Sequence, residues 1–355
     1  MEIRELLSIA IARNASDLHL LANFAPTVRV NGDLHPLVTL PKLEAVEIDR
    51  LIFSLLTPLQ KELLIANKEL DFSTVIEMEG GVTVRFRGNA YYQKNTLSAS
   101  FRLIPTKIKS IEELRLPPIL REFTKLRQGL VLVTGPTSSG KSTTLAAMIQ
   151  EINLSACVHI VAIEDPIEYV FFGGKAIISQ REMYQDTNSW RNALKNVLRE
   201  DPDVVYLGEI RDFETISAAL TIAETGHLVF STLHTNSTSQ SIDRIIDIFP
   251  ATQQSQVRMQ LSMVIVGIIT QRLIPTPEGT RVPACEILIG SASIKNTIRE
   301  GKTHLIDNII QTSADTGMML FEDNLKDLVE QNIITHETAL EYAIRPDTYI
   351  QMTQR

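Results

Sequence analysis

Nine consecutive residues, Gly135-Pro136-Thr137-Ser138-Ser139-Gly140-Lys141-Ser142-Thr143, fit the pattern G-x-x-x-x-G-K-[ST], and their flanks narrow the fold sharply. The apolar run Leu130-Val131-Leu132-Val133 suits a buried parallel strand, and Thr143 to Ile149 suits a helix. Strand, glycine loop and helix in that order aim backbone N–H groups and a helix N-terminus at one phosphate chain. Lys141 then reaches the β- and γ-phosphates of a nucleoside triphosphate, and the Ser142 hydroxyl takes a place on Mg²⁺.

Length and charge limit the rest. A chain of 355 residues accommodates two domains, or three small ones, each with its own core. The net charge of −8 argues against a protein built to grip nucleic acid. Cys157 and Cys285 stand alone, so they form neither a disulfide framework nor a zinc site; both are expected to be buried thiols in a reducing compartment. The opening Met-Glu-Ile-Arg-Glu-Leu-Leu does not read as a secretory signal. The apolar stretch from Leu261 to Ile269 is too short to span a bilayer, so membrane association is expected only through a partner.

Residues 1–103 read as a small α+β unit. Thr27 to Leu34 alternates like a strand entering an Asn31-Gly32-Asp33 turn, and residues 46–67 carry helical periodicity broken at Pro58. Val82–Asn89 and Leu97–Leu103 are further strand candidates. Residues 104–118, with three prolines, read as a linker. From residue 119 to 355 buried strands at 130–134, 158–163, 204–207 and 228–233 alternate with helices marked by Trp190, Leu194, Val197 and by Ile242, Ile245, Phe249. That alternation predicts a mostly parallel sheet with helices on both faces, followed by a helical annex from about 280.

Phosphoryl transfer depends on positioning and charge neutralisation. Ligands of such sheets sit beyond the carboxyl ends of the strands, so Glu164, after Val158–Ile163, is placed to orient or deprotonate water. A solvated loop acid is the other reading of Glu164. Asp203–Leu207 leads through Gly208 to Glu209, as a Walker B strand presents a carboxylate to Mg²⁺. His234, at the carboxyl end of Leu228–Leu233, can contact a γ-phosphate or serve a structural role; His227, at the opposite end, reads as structural. Arg85 and Arg87 share one face of a strand and, with Arg102, can clamp transition-state charge or simply be solvated.

Four ordered motifs now stand in the chain: the phosphate loop continuing into Thr144-Leu145, Ile163-Glu164-Asp165-Pro166-Ile167-Glu168, Asp201 to Asp212, and Ala223 to Thr235. Together they resemble the secretion ATPase superfamily, which powers type II secretion, type IV pili and archaeal filaments. Ala15–Leu20, Arg85-Phe86-Arg87, Phe101–Pro105 and Ile298–His304 are most similar to its pilus retraction ATPases. The resemblance covers nearly the whole chain. It implies an α/β architecture: a RecA-like P-loop ATPase domain preceded by a smaller PAS-like α+β domain. It further implies a homo-hexameric ring, cytoplasmic at the inner face of the membrane, acting on an inner-membrane platform protein and only indirectly on pilins. Glu164 becomes the catalytic carboxylate, Glu209 the Walker B acid and His234 the phosphate sensor, with Arg85, Arg87 and Arg102 completing the site. Ile298-Arg299-Glu300-Gly301 aligns with a region linked to retraction.

The chain departs from the family at three places. Ser138 stands where a second loop glycine is usual, and a left-handed backbone there carries a cost. The stretch after Leu20 is reduced to Asn23-Phe24-Ala25-Pro26, and residues 292–298 read Ala-Ser-Ile-Lys-Asn-Thr-Ile. The competing functions are an accessory retraction ATPase, a motor for type II secretion or DNA uptake, a RecA-like nucleic-acid motor, and a nucleotide-binding regulator with little turnover. The nucleic-acid motor requires a basic, aromatic-lined groove, and no such stripe is evident.

Overall fold

The computed structural model describes residues 1–30, 32–77, 83–104, 107–210 and 212–354. Asn31 of the expected turn, Val82 of the expected strand, Pro105 of the linker and Arg211 after Glu209 lie outside them. The chain resolves into two compact units. The first takes in residues 1–107 with Glu164–Val170 and Glu182–Asn188, and the second takes in the remainder.

The first unit holds α1 (Ile3–Ala12), β1 (Asp17–Leu20), β2 (Thr27–Val30), β3 (Asp33–Pro36), α2 (Ala45–Phe53), α3 (Pro58–Asn67), β4 (Glu69–Glu77), β5 (Thr83–Gln93) and β6 (Thr96–Leu103). Its sheet runs β3-β2-β1-β6-β5-β4, antiparallel throughout. Pro58 starts α3 because its missing N–H costs nothing at a first helical position. Thr57 and Gln60 cap the same turn reciprocally, at 2.9 and 3.3 Å. Side chains alternate between the faces of this sheet. Leu18, Val28, Phe72 and Phe101 turn to the core, while the row Ser73, Arg87, Arg102, Asp17, Arg29 lies across the other face.

The second unit carries α4 (Leu120–Thr124), β7 (Gly129–Thr134), α5 (Lys141–Ser155), β8 (His159–Glu164), β9 (Ile177–Glu182), α6 (Trp190–Val197), β10 (Val204–Leu207), α7 (Phe213–Glu224), β11 (Leu228–Leu233), α8 (Thr238–Asp247), α9 (Ala251–Val264), β12 (Ile265–Pro275), β13 (Arg281–Ile289), α10 (Ala292–Arg299), α11 (Ile306–Thr312), α12 (Phe321–Glu330), α13 (His336–Tyr342) and α14 (Pro346–Thr353). The last residues of β8 and β9 cluster with the first unit. The sheet order is β13-β12-β7-β11-β10-β8-β9, with β12, β7, β11, β10 and β8 parallel and β13 antiparallel to β12. Both faces are buried: Leu130, Leu132, Val161 and Val229 join one core, and Val131, Val133, Ile160 and Phe230 join another. This explains why these strands read as unbroken apolar runs.

Three expectations change. The segment from 280 does not begin as helix, because Arg281–Ile289 pairs along β12 as the sheet's edge strand. Pro283 weakens its strand signal yet is tolerated at an edge. From Ala292 the annex is helical, and Arg345 ties it to β13 through Glu286 at 2.8 Å. Within the stretch read as linker, Ile111 and Leu116 are buried against Leu120 and Phe123. Cys157 is exposed in the turn after α5, and only Cys285 is a buried thiol, its pKa pushed up to about 12 by burial. Among the described residues no helix is long and apolar enough to cross a membrane.

Candidate functional site

The parallel strands end nearly level: Thr134 pairs with Leu233, and Leu207 lies opposite both Ser231 and Ile163. Gly135, His234 and Glu209 therefore follow strand ends on one carboxyl edge, and Glu164 is the last residue of its strand. That is the edge at which sheets of this kind bind ligands.

The loop leaving β7 is held by close approach. Gly135 has φ +143°, and a Cβ there would lie 2.2 Å from the Gln271 carbonyl oxygen; at Gly140, φ +90°, it would lie 2.8 Å from Gln271 Nε2. Only glycine fits either position. Ser138 has φ +63°, so the serine that replaces a glycine does sit in the left-handed region. Lys141, only 8% exposed, donates from Nζ to the Gly135 and Pro136 carbonyls, each at 2.9 Å. Gly140 caps α5, placing Ser142 and Thr143 on its first turn. Beside the loop a cavity of about 520 Å³ is lined by Gly140, Thr143, Thr144, Leu114, Leu273 and Arg281.

Glu209 Oε2 accepts from His234 Nε2 at 3.2 Å, joining the ends of β10 and β11. His234 is half exposed on its side chain and so remains accessible, whereas His227 bonds locally to Thr225 and to the Ile222 carbonyl at the opposite end. Glu164 is 3% exposed, which rules out the solvated loop acid. Its Oε2 accepts from the Glu168 N–H at 3.4 Å.

The register sets Arg87 directly opposite Arg102 and puts Arg85 on the same face. Their surroundings differ. Arg85 pairs with the buried Glu182 and donates to Ser73 Oγ at 2.7 Å. Arg87 lies 3.2 Å from Glu168 and 3.6 Å from Asp71. Arg102 bonds Asp17 at 2.9 Å but is the most exposed of the three. Sequence reasoning missed Glu182, Glu168 and Gln271. Of these only Glu168 fell within a quoted motif.

A family model described as type II/IV secretion system protein matches residues 2–347. The chain is 44% identical to the type IV pilus retraction ATPase PilT of Pseudomonas aeruginosa, over 98% of this chain and 100% of that protein. It is 39% identical to the type IV pilus ATPase PilU of the same bacterium, over 97% of this chain and 89% of that protein. A crystal structure of the pilus retraction motor PilT with bound ADP superimposes with TM-score 0.90 at 43% identity, covering 99% of this chain and 100% of that one. On the fold, the phosphate loop and these likenesses, the chain belongs to the type II/IV secretion system protein family.

Proposed function

We propose that this chain is an ATP-hydrolysing motor that retracts type IV pili, working as a homo-hexameric ring at the cytoplasmic face of the membrane on a platform protein. The observation that carries this reading is full-length likeness to a retraction ATPase, joined to an intact phosphate loop on the carboxyl edge of a parallel sheet. ATP's phosphates lie in the loop at Gly135–Thr143, with base and sugar in the adjoining cavity, whose size suits them. The Ser142 hydroxyl and the Glu209 carboxylate would hold Mg²⁺, being the oxygen donors that ion takes. Bound there, the ion would supply charge neutralisation to the phosphates. Glu164 orients the attacking water and takes its proton; burial keeps that carboxylate away from competing solvent. His234 reports the γ-phosphate to Glu209 through the bond they share. Arginine from the β5–β6 face meets the phosphates of a neighbouring subunit.

An accessory retraction ATPase is the second reading, supported by the likeness to PilU. Deletion of the gene tests both. A retraction motor leaves cells carrying excess pili that no longer shorten, and a Lys141→Ala chain fails to restore shortening. Loss of pili would mean the motor works in assembly, and shortening that persists at reduced force would identify the accessory role.

A further inference from the structure

We propose that Gln271 of β12 is a positioning residue that sets the shape of the phosphate cradle. Backbone N–H groups in such a loop can face a phosphate only if the loop's carbonyls are turned away and satisfied elsewhere. Four of these carbonyls have partners within the second unit. Gly135 and Pro136 accept from Lys141, Gly140 accepts from the Thr144 N–H at 3.0 Å, and Ser139 accepts from Gln271 Nε2 at 2.8 Å.

Gln271 is 2% exposed, and its other amide atom, Oε1, accepts from Thr144 Oγ1 at 2.7 Å. The amide orientation is unambiguous, since the Ser139 carbonyl can only accept. One side chain thus joins the Ser139 carbonyl, at the helix end of the loop, to the first turn of α5. The strand bearing it is fixed at the same height, because Thr270 pairs with Thr134 and their hydroxyls lie 2.7 Å apart. Both required glycines face Gln271 as well, Gly135 its backbone and Gly140 its amide.

The role rests on the loop being the phosphate site, and the test separates the two. Competition binding of ADP and AMP is measured on the assembled full-length protein, since AMP carries no β-phosphate. Gln271→Ala should weaken ADP about tenfold, the cost of freeing one buried carbonyl, and move AMP less than about twofold. Gln271→Glu, which keeps size but turns an acceptor toward Ser139, should match it. An equal loss for both nucleotides would make Gln271 a mere cavity wall, and unchanged ADP affinity would dismiss its role. If neither variant folds, the isosteric Thr144→Val decides: a loss of about two- to fivefold for ADP alone supports the proposal and no change overturns it. Failure of the unsubstituted chain to bind ADP would overturn the phosphate site itself, and this role with it.

Discussion

The phosphate loop and the arginine face of the first sheet both present cations, and those cations are restrained by different means. Lys141 is held by carbonyls of its own loop, five and six residues away, so the cation and the cradle are one object. The arginines are held by carboxylates: Asp17 for Arg102, Asp71 and Glu168 for Arg87, Glu182 for Arg85. A phosphate recruiting an arginine must displace its carboxylate, and the three displacements are unequal. The side chains of Arg102, Arg87 and Arg85 are 68%, 34% and 18% exposed in turn, and the Glu182 partner of Arg85 is only 2% exposed. The difference teaches that Lys141 is committed to its site from folding onward, whereas the arginines are graded in availability, with Arg102 the most easily recruited.

Replacing Lys141 is the largest perturbation of this comparison. Lys141→Ala should lower kcat/KM for ATP by about 10²–10³-fold, the range for loss of one preorganised charge donor. Steady-state hydrolysis on a protein with unchanged circular dichroism measures it. Near-normal turnover would remove the loop from the mechanism.

The arginines should separate stability from turnover. Arg85→Ala leaves the Glu182 carboxylate buried without its cation, so the urea midpoint should fall by an amount equivalent to about 3 kcal/mol. Arg102→Ala removes an exposed guanidinium and leaves Asp17 with Arg29 still 4.0 Å away, so it should cost less, about 1 kcal/mol. Its effect should appear instead in hydrolysis. Mixing Arg102→Ala with Lys141→Ala protein then restores activity above either parent if the arginine acts in trans, because some interfaces pair an intact loop with an intact arginine. A mixture that stays inactive although mixed rings form would confine the arginine to its own chain or require every site at once.

Glu164→Gln comes next, with turnover falling about 10²-fold while ADP affinity stays, since the amide keeps the shape and cannot accept the proton. If Glu209→Gln alone abolishes turnover and Glu164→Gln does not, the two acids have exchanged roles.

What could be read from sequence follows the same division. The loop, its strand and its helix are contiguous, and the parallel strands are buried on both faces, so each announced itself locally. The shared face of Arg85 and Arg87 followed from the period of two. Their partners did not, because Glu182 lies 97 residues from Arg85 and Glu168 lies 81 residues from Arg87. Gln271 was hidden for the same reason, 132 residues from the carbonyl it holds. β13 was missed through a different failure: an edge strand containing Pro283 carries a weak signal, and its assignment depends on pairing with β12.

Ser138 offers the smallest and most local test. The structure holds it at φ +63°, exposed, in the middle of the loop. A residue with a Cβ loses about 1–2 kcal/mol in that region. Glycine avoids the clash but gives up more backbone freedom on folding, about 0.5–1 kcal/mol. The terms nearly offset, so Ser138→Gly should stabilise the nucleotide-free protein by no more than about 1 kcal/mol, read as a small rise in Tm. Because neither residue's side chain is needed to pin a loop carbonyl, ADP affinity should change less than about twofold, in contrast to Gln271→Ala. A Ser138→Gly protein that lost ADP binding would show that the serine hydroxyl, and not the backbone alone, shapes the cradle.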